Sequence, residues 1–258
     1  MNCKNCGDTL RTDYIYCPAC GAKKIRNRIT FKNLWFDITE MHFNLDNTFL
    51  RTFLGLFQEP EVVIGGYIGG TRKKHLDPIS YLGIALTLSG IFVLLLQKAF
   101  LDKIDFGILG LFGTSTELLK KITSSTLEIS SFIYVLYIPI LALSGWLFLN
   151  QKKYFFSEYL VVGIYTLAHY GIFSFPVSLL LLALVPEYYL VFAFPMILVM
   201  MLYATYVANR LNGWDIGRSI LFVLIFIVGF FGISLLLDII LLVTGVMEIQ
   251  DFIPKRGG

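Results

Sequence analysis

A chain of 258 residues that is 56% hydrophobic and 15% charged, with a mean hydropathy of +0.71, is too apolar for a soluble globule, in which about a quarter of the residues carry charge. The net charge of +3 is too small to suggest nucleic acid, and it is unevenly placed, with 11 of the 21 Lys and Arg residues in 1–77. The composition predicts a membrane protein, and the elements taken in order below make it all-α: a bundle of about five transmembrane helices with amphipathic juxtamembrane helices and, from the four cysteines at its N-terminus, a small zinc ribbon. No secretory signal peptide precedes the first long apolar run, so the first span is expected to act as its own uncleaved insertion signal.

Residues 1–24 hold all four cysteines, as Cys3-x-x-Cys6 and Cys17-x-x-Cys20, with Gly7 and Gly21 directly after the second cysteine of each pair. Two such knuckles ten residues apart predict a tetrahedral thiolate site for structural Zn2+, with each knuckle supplying two sulfurs. A segment this short cannot bury a core, and zinc contributes about 10–16 kcal/mol of apparent binding energy in its place. Two disulfides are one alternative, and they require an oxidising compartment. A redox Cys-x-x-Cys is another, but neither pair has a thioredoxin-like βαβ pattern around it.

Residues 25–77 form an amphipathic helical juxtamembrane linker. Thr30 can cap a helix with Phe31, Leu34, Trp35, Ile38 and Met41 at three- and four-residue spacing. Asp46 or Asn47 can cap a second, with Phe49, Leu50, Phe53, Leu54 and Phe57 on one side, and Pro60 suits the first turn of a third. These helices are expected either to lie in the headgroup layer or to pack on one another and on the spans. Arg72, Lys73 and Lys74 follow as a lipid headgroup site, worth about 3 kcal/mol against an anionic surface at ~1 kcal/mol each. The glycines upstream do not form a nucleotide loop, since no G-x-x-x-x-G-K-[ST] is present.

The two knuckles, the basic run Lys23 to Arg28, the aromatic helix at Phe31 to Phe43 and Tyr67-Ile68-Gly69-Gly70-Thr71-Arg72-Lys73-Lys74 together resemble a bacterial family of unknown function that joins this ribbon to a multi-span membrane domain. The resemblance covers most of residues 1–97. It implies architecture and brings no activity with it.

Residues 78–247 form the membrane domain, with spans at about 79–97, 131–149, 159–185, 188–208 and 217–246, and 248–258 is a short tail. Ile79 to Gln97 has 19 residues without charge, about the length that crosses a hydrocarbon core. The connection from Lys98 to Ser130 carries four lysines against four carboxylates, whereas Lys152, Lys153, Arg210 and Arg218 mark the alternate connections. The positive-inside rule then places the head in the cytosol and the C-terminus outside, and the family resemblance implies that the membrane is a bacterial inner membrane. The last span is long enough to be tilted, or kinked at Gly229 and Gly232.

Two ionisable residues fall inside spans and form the candidate intramembrane polar site. His169 lies on a stripe with Thr166, Tyr170, Ser174 and Ser178 that is expected to face other helices, and Asp238 lies in the last span. Tyr134, Tyr137, Tyr203 and Tyr206 read as interfacial anchors. There is no H-E-x-x-H, no G-x-S-x-G and no membrane aspartate pair, so no catalytic residue is assigned. The favoured function is a binding, regulatory or assembly module recruiting a protein partner through the ribbon or the juxtamembrane helices. The alternative is a small transporter with a polar path near His169 and Asp238. Six basic residues near the ribbon raise nucleic-acid binding, but the tether to the bilayer and the lack of a basic helix argue against it.

Overall fold

The structure, a computed structural model, describes residues 2–22, 45–107, 116–151 and 153–243. The chain divides into two compact units at Asn47–Thr48. The predicted helix at 31–43, most of the apolar stretch at 106–116 and the tail beyond 243 lie outside the described residues.

In the first unit, residues 2–22 are two tight turns joined by a loop, with one isolated antiparallel bridge between Asn2 and Thr9. Cys3, Leu10 and Cys17 are buried together, and Tyr14 and Ala22 pack on them. This small apolar cluster is all the core the segment has.

The second unit is all-helical among its described residues. Its helices are α1 (Leu45–Gln58), α2 (Pro60–Ile68), α3 (Pro78–Leu95), α4 (Thr116–Phe148), α5 (Phe156–Leu184), α6 (Tyr189–Asn212) and α7 (Ile216–Val243). Four segments are long and apolar enough to cross a bilayer: Pro78–Lys103, Phe156–Leu184, Pro186–Asn212 and Ile216–Leu237. The apolar stretch Ile133–Phe148 in α4 is shorter. That helix begins at Thr116, fifteen residues earlier than the predicted span, so much of the expected connection is helical. Its first turns carry Glu117, Lys120 and Lys121, and Lys120 pairs with Asp102 at 2.5 Å. Polar residues concealed this part of the helix from a hydropathy reading, because a helix can extend beyond the hydrocarbon without being apolar.

Helix boundaries follow local chemistry. Asp77 caps α3, its carboxylate accepting from the Ser80 amide at 2.9 Å, and Pro78 occupies the first turn, where a missing N–H costs nothing. After Leu95 the backbone loosens into a π turn and then a 3-10 turn, Leu96–Lys103. Helices α4, α5 and α6 run through Pro139, Pro176 and Pro195. α7 runs unbroken through Gly229 and Gly232; a Cβ at Gly229 would lie 2.5 Å from Ile140 Cγ2, so this glycine serves close helix packing.

α5 is the central helix, packing on α3, α4, α6 and α2. Its backbone approaches α4 so closely that a Cβ at Gly163 would stand 3.0 Å from the Ile138 carbonyl oxygen. The connections gather at two ends. At one, Lys153 Nζ donates to the Leu211 carbonyl at 2.9 Å and Arg210 pairs with Glu61. At the other, the Asp105 amide donates to the Glu187 carbonyl at 3.3 Å. The connections that carry Lys153 and Arg210 thus share one end, and the connection whose lysines are matched by carboxylates lies at the other.

The helices α1 and α2 belong to this bundle: Leu56, Val63 and Ile64 are buried against Tyr81, Tyr165 and Val207. The reading of α1 as one apolar side needs correction. Phe49, Phe53 and Leu56 face the bundle, while Leu50 and Leu54 are exposed. Residues one apart on a helix differ by about 100°, so 49/50 and 53/54 cannot share a face.

Candidate metal centre and the buried histidine

The two knuckles are built alike. The Cys3 amide donates to the Asp8 carbonyl at 2.8 Å and the Cys17 amide to the Ala22 carbonyl at 2.9 Å; Gly7 and Gly21 donate back to the carbonyls of Cys3 and Cys17. Gly7 and Gly21 sit at φ +79° and +70°, a region a side chain disfavours. These turns bring the four sulfurs within 4.8 Å of one another, with Cys3–Cys20 at 3.7 Å and Cys6–Cys17 at 3.6 Å. Tetrahedral bonds of ~2.3 Å would place sulfurs about 3.8 Å apart, whereas a disulfide needs ~2.05 Å. The close pairs cross between knuckles, and the donor set fits one four-coordinate metal ion.

The thiols share protons unevenly. Hydrogen bonds from the Asn5 side chain and the Ala22 backbone draw Cys20 down to about 6. At Cys6 the lowering by the Asp8 backbone is outweighed by sharing with Cys20, by burial and by the other thiols, and the group is pushed up to about 12. Metal binding by this set therefore releases protons and weakens in acid.

In the membrane unit, His169 is buried on α5, and its Nδ1 lies 2.8 Å from the Tyr81 hydroxyl. Four rings surround it: Phe57 at 4.3 Å edge-on, Phe53 at 4.9 Å, Tyr203 at 5.1 Å and Tyr81 at 6.2 Å. Nε2 has no hydrogen-bond partner among the described residues. With the Tyr81 hydroxyl donating to Nδ1, the proton of the neutral imidazole sits on Nε2. The imidazole fastens α5 to α1 and α3. Asp238 lies within α7, and its side chain is outside the described residues.

Three of the tyrosines expected at the interface instead bridge helices. Tyr203 donates to the Leu56 carbonyl at 3.1 Å, and Tyr206 to the Phe57 carbonyl at 2.9 Å. These are carbonyls of the last turn of α1, which have no partner within their own helix. Tyr134 donates to the Leu167 carbonyl. Tyr137 stacks on Phe230 at 5.1 Å. Phe155, Phe156 and Trp214 are exposed beside the basic connections, none of them singled out by the sequence reading. Spacing held the missed signal, since Tyr203, Tyr206 and Arg210 recur at i, i+3 and i+7 on one face of α6. Arg210 completes that face with a two-pronged pair to Glu61, holding its carboxyl below the usual value.

The basic cluster Arg72, Lys73 and Lys74 is exposed in the connection ahead of α3, with Arg72 5.5 Å over the Tyr67 ring. Beside it His75 is buried, with neither ring nitrogen partnered among the described residues. Burial, then Lys74 and Arg51, push its proton affinity down. Leu76 is held on both sides, its amide donating to Thr52 Oγ1 at 2.8 Å and its carbonyl accepting from Tyr165 at 2.6 Å.

A cavity of about 270 Å3 lies toward the other end of the bundle, between α3, α4, α5 and α6. Tyr170, Ser174 and Ser178 of the predicted stripe line it; His169 does not. The stripe turns because His169 is one residue from Tyr170, about 100° round the helix, and points to α1 and α3 instead.

Over residues 46–90 the chain matches a family described as Protein of unknown function (DUF3667). That segment comprises most of α1, all of α2, the basic connection and most of α3, and it supplies Phe53, Phe57 and Tyr81 around His169. No curated protein and no solved structure matches the chain.

Proposed function

We propose that this is a multi-pass protein of a bacterial inner membrane whose zinc-clasped N-terminal ribbon is a cytosolic recruitment site for a protein partner, held at the bilayer by the helical unit. The observation that carries this reading is how the ribbon disposes of its apolar residues. Leu10 and Tyr14 serve its own small core, while Ile15 and Tyr16, next to the Cys17 knuckle, remain 63% and 57% exposed. Adjacent exposed aliphatic and aromatic side chains on a rigid, metal-fixed turn have the character of an interface anchor.

The four-sulfur geometry supports zinc as the ion, since four cysteine ligands close together make the closed tetrahedral donor set of structural zinc sites. The shared end of Lys153, Arg210 and the α1–α2 hairpin supports a cytosolic placement for that end, and the exposed Arg72, Lys73 and Lys74 support contact with anionic headgroups there. The proposal is non-enzymatic.

The test uses the full chain in lipid nanodiscs. Elemental analysis is expected to find one zinc per chain; iron, or no metal, would overturn the metal assignment. Crosslinked partners from cytosol are then compared between the native chain and Ile15→Ser/Tyr16→Ser. A partner recovered with the native chain and lost from the double variant, with zinc retained in both, is the expected result. Identical recovery would overturn the recruitment surface.

A further inference from the structure

The cavity between α3, α4, α5 and α6 differs from its surroundings in its lining. Six hydroxyl-bearing residues line it, Ser89, Tyr134, Tyr170, Ser174, Ser178 and Tyr189, and no charged residue does. Hydroxyl-bearing residues gathered around a cavity with no charge among them suit an uncharged polar occupant.

The state of these hydroxyls narrows the chemistry. Tyr134 donates to the Leu167 carbonyl, Tyr170 to the Met196 carbonyl at 2.8 Å and Ser174 to the Gly171 carbonyl at 3.2 Å. Their protons are therefore committed to backbone, and what they present to the cavity is oxygen lone pairs. Those three oxygens favour an occupant that brings a hydrogen-bond donor. Ser89, on α3, adds a hydroxyl able to donate to an oxygen of the occupant.

Shape and access narrow it further. Phe92, Phe175 and Phe192 supply ring surfaces, which favour a flat body. The volume is a little under twice the ~150 Å3 of an engineered cavity that takes benzene, so roughly eleven heavy atoms fit. Phe192 both lines the cavity and is 40% exposed, so the cavity reaches the apolar outer face of the bundle between α5 and α6. With no charge to balance a charged ligand and an opening on the lipid side, the occupant arrives through the bilayer.

We infer that this cavity is a binding site for an uncharged hydroxyl-bearing ring of the alkylphenol or quinol class, taken up from the membrane. The hydroxyl donates to the lone pairs of Tyr134, Tyr170 or Ser174, and the ring lies against the phenylalanines. The site is independent of the ribbon and of its metal.

The experiment uses the full chain in nanodiscs, a photoreactive alkylphenol, and competition by 4-pentylphenol and by 4-pentylanisole, which has the same bulk without the donor. Saturable labelling within 170–197, competed at least 5-fold better by the phenol than by the anisole, is expected. Ala193→Phe, which fills the cavity, should reduce labelling at least tenfold. Ser174→Ala, which removes one acceptor and almost no volume, should weaken competition 2- to 5-fold and serves if the larger side chain prevents folding. Equal competition by the anisole would overturn the donor requirement. Labelling spread along the lipid-facing surface of α7, or unchanged in both variants, would show ordinary lipid occupancy and overturn the site.

Discussion

The ribbon and the bundle reach order by opposite means. In residues 2–22 three buried side chains make up the core, and four sulfurs gathered within 4.8 Å of one another form a donor set that could hold a metal ion. In the bundle, aliphatic and aromatic contacts fill the interior, and hydrogen bonds from tyrosines and histidine set which helices meet. In lipid the tails are as apolar as leucine, so close packing and a few polar bonds choose the arrangement. Stability in the first region is therefore a matter of chemistry at one point, and in the second it is distributed.

Cys17→Ser gives the largest separation between the two regions. One ligand removed from a four-ligand site should abolish stoichiometric metal and expose residues 2–22 to protease, while the melting temperature of the membrane unit stays the same. A fall in both would show that the bundle relies on the ribbon. Conversely, Gly163→Val acts on the bundle alone. Its side chain meets the Ile138 carbonyl where even a Cβ stands at 3.0 Å, and separating α4 from α5 should cost about 1–3 kcal/mol, read by detergent denaturation, with zinc content unchanged.

Tyr81→Phe is a subtler change to the same region. It leaves His169 Nδ1 buried without its partner at 2.8 Å and should cost about 1–2 kcal/mol without loss of volume. Tyr16→Phe, an exposed hydroxyl in the ribbon, should cost nothing measurable. If the two cost the same, the imidazole is not the fastening it is taken to be.

Acid gives the smallest effect and falls on both regions for different reasons. The folded protein holds His75 below the ordinary value of ~6.5 because burial, Lys74 and Arg51 disfavour its charge. Its contribution to stability is therefore complete above about 6.5 and is lost as the pH falls through and below that value. Protection factors of the amides at residues 71–77, corrected for the intrinsic pH dependence of exchange, should fall between pH 7 and 5, and His75→Leu should flatten that dependence. The ribbon loses metal over an acid range of its own as protons compete for the thiolates, and chelator-resistant zinc reports that separately.

Several elements were legible from residue pattern alone. The double knuckle is local: Cys-x-x-Cys-Gly dictates a turn whatever surrounds it, and the turns brought the sulfurs together. Pro60 sets a helix start for reasons contained within one turn. The start of α4 was not legible, since Thr116 to Ser130 is polar and its helicity continues from the apolar half rather than announcing itself. Nor was the partnership of Tyr203 and Tyr206 with α1, because a tyrosine near a span end is equally suited to water, headgroup or a neighbouring carbonyl, and only the position of α1 selects one.

The sequence by itself determined the solvent of each part: a thiol-rich polar head, and long apolar helices that a bilayer requires because backbone groups must be satisfied within the segment. Tertiary structure alone decided which faces meet. It turned His169 into an aromatic enclosure, left Ser174 and Ser178 around a cavity one face away, and carried α1 and α2 into the bundle. Hydropathy reports the medium a helix sits in and carries almost no information on its rotation, because in a uniformly apolar helix every face is equally greasy and the choice falls to a handful of small or hydrogen-bonding residues.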